Sequence, residues 1–174
     1  MTLRILFTFL LLLTLTVSAQ AQCKFKTNET DPFTSEKHLV SKNIRLDGDM
    51  RSANEAKFYA ITNLELTGKA YRWNFAFTEL SVRDKNSSNA IKLRVKTKNG
   101  ILEILSANTP DPKYTLEEYL KMTQFDFHFE LSPEQVKSLA GGVEVVGLEI
   151  FGDNKLFKTK SLDEVSKYAK CMLE

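Results

Sequence analysis

The segment FDFHFEL, residues 125–131, alternates Phe125, Phe127, Phe129 and Leu131 with Asp126, His128 and Glu130. IKLRVKT, residues 91–97, does the same with Ile91, Leu93 and Val95 against Lys92, Arg94 and Lys96. In an extended chain successive side chains point to opposite faces, so a period of two buries one row and leaves the other in water. These are half-buried strands of the antiparallel type, since parallel strands are covered on both faces and read as continuous apolar runs. KFYAITNLELTG (57–68) and AYRWNFAFTELSV (70–82) are longer, aromatic strands joined at Thr67-Gly68-Lys69, where Gly68 suits a hairpin turn. Asn99-Gly100 predicts a second hairpin, with strand 91–98 turning back into 101–106. GVEVVGLEIF (142–151) gives a further strand, followed by a turn at Gly152-Asp153-Asn154 and an extension through Phe157.

Three short helices are predicted from their caps. Thr115 stands three residues before Glu118 in TLEEYLKM, Ser132 three before Gln135 in SPEQVKSLAGG, and Ser161 three before Glu164 in SLDEVSKYAKCML. In each the hydroxyl and the later carboxylate or amide can satisfy exposed N–H groups reciprocally, and Pro133 suits a first helical turn. The last segment carries Leu162, Val165, Ala169 and Met172 on one side, a stripe for docking on a sheet. The expected fold is therefore mainly β or α+β. It comprises an antiparallel sheet, as a sandwich or partly open barrel, with about three short helices and the C-terminal one packed on the sheet.

Residues 1–21 read as a secretory signal peptide, and 22–174 as a single exported globular domain. Arg4 forms the positive region, Ile5 to Val17 the apolar core, and Ala19-Gln20-Ala21 the small-x-small cleavage pattern, with the cut after Ala19 or Ala21. The apolar run is shorter than the ~20 residues a membrane-spanning helix needs, so no transmembrane anchor is expected after cleavage. Gln22, directly before Cys23, is too bulky for a bacterial lipoprotein signal. Cys23 and Cys171 are the only cysteines. Export places them in an oxidising space, secreted or periplasmic, where an even count favours a disulfide between them. The formal net charge of +2, with charges interspersed, gives no electrostatic footprint for nucleic acid.

Few residues suggest chemistry. Asp126, His128 and Glu130 form a polar row that could bind a metal or do acid–base work in a hydrolase with a non-standard site, in either case completed by neighbouring strands. His38 is the only other histidine, and two distant cysteines with two distant histidines do not make a metal site. Asp47-Gly48-Asp49 and Gly152-Asp153-Asn154 lack the ligand series of a calcium loop. No phosphate-binding loop, nucleophile elbow or dinucleotide fingerprint is present, and no cofactor is implied. Asn28-Glu29-Thr30 and Asn86-Ser87-Ser88 would be glycosylation acceptors only in a eukaryotic secretory pathway. Tyr71, Trp73, Phe75 and Phe77 share one strand face. They fill the core or, on the sharper reading, line an apolar ligand cavity or partner groove.

The segment CKFKTNETDPFTSEKHLVSK resembles the opening of uncharacterised exported proteins of Bacteroidota-type bacteria. The resemblance rests on Cys23, Phe25, Asn28, Glu29, Asp31, Phe33 and Thr34. The family often carries Gly next, where this chain has Ser35, a departure at the position that would close a tight turn. The resemblance implies a bacterial envelope or secreted location and brings no activity or cofactor. The leading expectation is thus an exported, non-enzymatic domain that binds an unknown protein or envelope component. A small apolar-ligand carrier with a lipocalin-like barrel is the alternative, and the hydrolase the second.

Overall fold

The computed structural model describes residues 23–47, 58–79, 90–117, 120–150 and 152–174. Eleven strands and two helices follow in order: β1 (Thr27–Thr30), β2 (Lys37–Val40), β3 (Ile44–Asp47), β4 (Phe58–Thr67), β5 (Ala70–Glu79), β6 (Lys92–Thr97), β7 (Gly100–Leu105), β8 (Asp111–Glu117), β9 (Leu120–Leu131), α1 (Pro133–Ala140), β10 (Val143–Ile150), β11 (Asp153–Phe157) and α2 (Leu162–Met172). Seven strands form one antiparallel sheet in the order β1-β2-β4-β5-β9-β8, with β3 also paired to β4; the other sheet runs β11-β10-β6-β7. Among the described residues both sheets end on free strands, so the expected antiparallel sheets form and the lipocalin-like closed barrel does not.

The alternation read from the sequence carries through to the burial. Trp73, Phe75 and Phe77 of β5 and Phe125, Phe127 and Phe129 of β9 are buried, while Asn74, Ala76, Asp126 and His128 between them are only half-buried. The buried rows of both sheets, including Leu93 and Val95 of β6 and Val146 and Leu148 of β10, form one core cluster. Its aromatic centre is tightly packed: Phe75 stacks on Phe127 at 5.6 Å between centroids and meets Phe129 edge-on at 5.5 Å. Such contacts add to the apolar burial that drives the fold. Two departures from an apolar interior stand out. The Trp73 Nε1–H is buried without a hydrogen-bond partner among the described residues. Glu79, only 4% exposed, accepts from Lys155 of β11 at 3.2 Å, an ion pair bridging the two sheets.

Helix α1 begins as read: the Ser132 hydroxyl accepts from the Gln135 N–H, and the Gln135 side chain accepts from the Ser132 N–H. Helix α2 lies against β10 of one sheet and β3 and β4 of the other, burying Leu162, Val165, Tyr168, Ala169 and Met172. The N-terminal segment is fastened to it three ways. Cys23 and Cys171 are disulfide-bonded with Cα atoms 6.4 Å apart, the Tyr168 hydroxyl donates to the Lys24 carbonyl at 3.1 Å, and Phe25 packs on the Tyr168 ring. A bridge spanning 148 residues restricts the unfolded chain by about 5 kcal/mol in chain-entropy terms.

Two capping readings are corrected. The helix expected from Thr115 is instead the β8–β9 hairpin, with Thr115 opposite Met122 and Glu117 opposite Leu120. Two turns of helix are marginal alone, whereas the extended segment continues the ladder already established along β9. Ser161 sits before α2 in a helical conformation and makes no side-chain cap; the Leu162, Asp163 and Glu164 N–H groups bond instead to the carbonyls of Thr159, Lys160 and Ser161. Turn positions also shift. Lys98 and Asn99 form the β6–β7 turn with Gly100 opening β7, and Asp153 and Asn154 lie inside β11. Gly68 does turn β4 into β5, at φ +59°. The signal segment, Gly48-Asp49, Glu118 and Asn86-Ser87-Ser88 lie outside the described residues.

Candidate functional site

A groove of about 360 Å³ lies on the outward face of the seven-stranded sheet, lined by Asn43, Ile61, Asn63, Asn74, Ala76, Asn108, Asp126 and His128, with the backs of Phe75 and Phe127. Strand register builds its floor. Asn63, Asn74 and His128 stand opposite one another on β4, β5 and β9, and Ile61, Ala76 and Asp126 form the next row. One row is polar, and its neighbour is apolar at two of three positions.

Two irregular segments raise the walls. Between β2 and β3 the chain leaves the β4 ladder for a few residues. Ser41 bridges the gap: its N–H donates to the Leu64 carbonyl at 2.8 Å, and its hydroxyl accepts from the Leu64 N–H at 2.9 Å. That kink carries Asn43 to the rim. On the far side the Asn108 side chain imitates a strand. Its Oδ1 accepts from the His128 N–H at 3.0 Å and its Nδ2 donates to the Asp126 carbonyl at 3.3 Å, while the Ala107 N–H donates to the His128 carbonyl.

The polar groups divide into engaged and open ones. Asn74 Nδ2 donates to Asn63 Oδ1 and Glu65 Oε2, both at 3.0 Å. Asp126 accepts from Lys113 Nζ and, at 2.8 Å, from Gln124 Nε2. Partial burial pushes the Asp126 carboxyl up, but these two hydrogen bonds and the Lys113 charge outweigh it and hold the group below the ordinary carboxylate range. Left without a hydrogen-bond partner among the described residues are the Asn43 amide, Asn63 Nδ2, Asn74 Oδ1 and the His128 imidazole. The groove thus offers unpaired donors and acceptors while its one carboxylate is neutralised.

The structure brings Asp126 and His128 into one groove but sets Glu130 a row further along, beside Arg72. No hydrogen bond joins the Asp126 and His128 side chains among the described residues, and none of their His, Cys, Asp and Glu residues cluster to hold a metal ion. His38 lies on the same sheet, 3.7 Å from Glu65. Of the aromatic row, Trp73, Phe75 and Phe77 are buried in the core and Tyr71 is half-buried; their rings point to the opposite side of the sheet from the groove. The four asparagines went unmarked in the sequence because they form no motif and meet only through register.

The segment Cys23 to Lys42 leads into the β1–β2 hairpin. Asp31 Oδ1 accepts from the Phe33 and Thr34 N–H groups at 2.7 and 2.9 Å, which holds its carboxyl below the usual range. Ser35 adopts φ +59° there, so the turn closes without glycine. No protein-family model, curated protein or solved structure matches the chain. Among the described residues no helix is long and apolar enough to cross a membrane.

Proposed function

We propose that the protein is an exported, non-enzymatic binding domain whose outward sheet face holds a small, uncharged, polar ligand. The observation that carries this reading is the set of unpaired amide and imidazole groups on Asn43, Asn63, Asn74 and His128 around a groove with no uncompensated carboxylate. A ligand rich in hydroxyl or amide groups, of which a neutral oligosaccharide is the simplest, could satisfy donors and acceptors together. Its C–H surface would rest on Ile61 and Ala76. The volume falls within the ~300–1,000 Å³ range of small-ligand sites. Export is supported by the leader pattern of residues 1–21 and by the disulfide, which persists in oxidising compartments. The resemblance of residues 23–42 to exported proteins of Bacteroidota-type bacteria favours a bacterial envelope or secreted setting.

The test is an amide chemical-shift titration with cellobiose, maltose and N,N′-diacetylchitobiose. Binding by at least one, with shifts centred on Asn43, Asn63, Asn74 and His128, is the expected result. Silence from all three in the groove would overturn the reading.

A further inference from the structure

Each free edge of a sheet exposes a row of unpaired N–H and C=O groups, and natural proteins blunt such edges with short strands, proline or charge. Among the described residues five strands have a free edge, and four of them are blunted. β1 and β3 are four residues long, and Arg45 and Asp47 occupy two positions of β3. β8 carries Pro112 and Lys113, and β11 carries Asp153 and Lys155. β7 is the exception. It spans Gly100-Ile101-Leu102-Glu103-Ile104-Leu105, with no proline, no lysine and one charge. Its outward residues Ile101 and Leu105 are 71% and 60% exposed, whereas the neighbouring outer face of β6 and β10 is laced by the Lys96–Glu144 and Lys92–Glu149 ion pairs.

The geometry points to a second copy of this chain as the occupant of that edge: two β7 strands pair antiparallel about a two-fold axis through Glu103. The order of residues in β7 is what selects a copy over a foreign strand. In that register Ile101 meets Leu105 of the other copy on the outer face, and Leu102 meets Ile104 on the inner face. Outward residues stay outward, and every apolar position on the strand gains an apolar partner. The result is a continuous eight-stranded sheet across an isologous interface, the commonest symmetry for a homodimer. Glu103 meets its own copy on the axis. Each Glu103 already carries Arg94 at 2.9 Å, so charges alternate outward from the axis as glutamate, then arginine, on both sides. The facing carboxylates still repel, which makes this contact the weak point of the interface.

Sedimentation equilibrium of the oxidised protein across the micromolar range tests the pairing, with wild type beside Ile101→Lys, Leu105→Lys and Glu103→Gln. Wild type should show a concentration-dependent dimer. Each lysine variant should weaken it by about tenfold or more, and Glu103→Gln, which removes the facing charges, should tighten it severalfold. These positions are solvent-facing, and unchanged melting of dilute samples verifies that the variants fold. Three results would overturn the inference: a monomer at every concentration, a dimer indifferent to the lysine variants, or an edge that takes up a foreign extended peptide but never its own copy.

Discussion

Strands β5 and β9 present two faces one residue apart on the same backbone, and the faces have little in common. The inner row of Trp73, Phe75, Phe77, Phe125, Phe127 and Phe129 is packed ring on ring, and none of these side chains is more than 3% exposed. The outer row of Asn74, Ala76, Asp126 and His128 is half-buried and carries groups without partners. Because side chains alternate strictly, neither row can drift to the other side without slipping the register of the whole sheet. The difference teaches that the packed core and the open polar groups are held on separate sides of one sheet. Substitutions on one should leave the other largely untouched.

The largest effect should come from emptying the inner row. Phe129→Ala removes a fully buried ring and should cost about 3–5 kcal/mol, read as a lower midpoint in urea unfolding with an unchanged slope. Lys155→Met takes a partner from the buried Glu79 and should cost about 3 kcal/mol. Adding Glu79→Leu should recover most of that loss, since a well-packed apolar pair commonly replaces a buried ion pair without penalty. Trp73→Phe is milder. It loses part of a ring but also removes a buried, unpartnered N–H, and the two opposing terms should leave a net loss near 1 kcal/mol in the same assay.

The outer row should respond weakly. Asn74→Ala gives up hydrogen bonds to Asn63 and Glu65 at a partly exposed site and should shift stability by no more than about 1 kcal/mol. Asp126 supplies the smallest signal, a pH dependence. Its carboxyl lies lower in the folded than in the unfolded chain, so the unfolded state takes up the proton first as the solution is acidified. The stability from its pairing with Lys113 and Gln124 is complete above the ordinary carboxylate pKa of about 4 and fades as pH falls through the lowered folded value. Asp126→Asn should therefore flatten the acid limb of stability against pH, and added salt should shrink the difference.

The inner row was legible because six aromatic residues at period two leave only one face to bury. The outer row was legible as wet but not as a groove. A two-residue turn at Gly68 does set Asn63 opposite Asn74 and Ile61 opposite Ala76, so four of the six floor positions were within reach of the sequence. The pairing of β5 with β9 was not, because more than forty residues separate Asn74 from His128 and only the folded register brings them level. Asn43 and Asn108 were harder still. They reach the groove through a kink held by a serine hydroxyl and through an amide imitating a strand, neither of which leaves a periodic trace. The same limit explains β1 and β2, too short to show alternation, and β3, where Ile44-Arg45-Leu46-Asp47 alternates over only four residues. It also explains the Thr115 segment, whose cap-like spacing was outweighed by the ladder along β9. The Cys23–Cys171 bridge was read from the leader pattern and the cysteine count alone.

The separation of the two faces is tested most directly by titrating Asn74→Ala beside wild type with whichever neutral oligosaccharide shifts the groove, and melting both proteins in parallel. The account predicts that Asn74→Ala melts within a few degrees of wild type, in keeping with a loss of about 1 kcal/mol or less, and binds at least about tenfold more weakly. Equal binding by both proteins would contradict it. So would a variant that loses binding only because it has lost its fold.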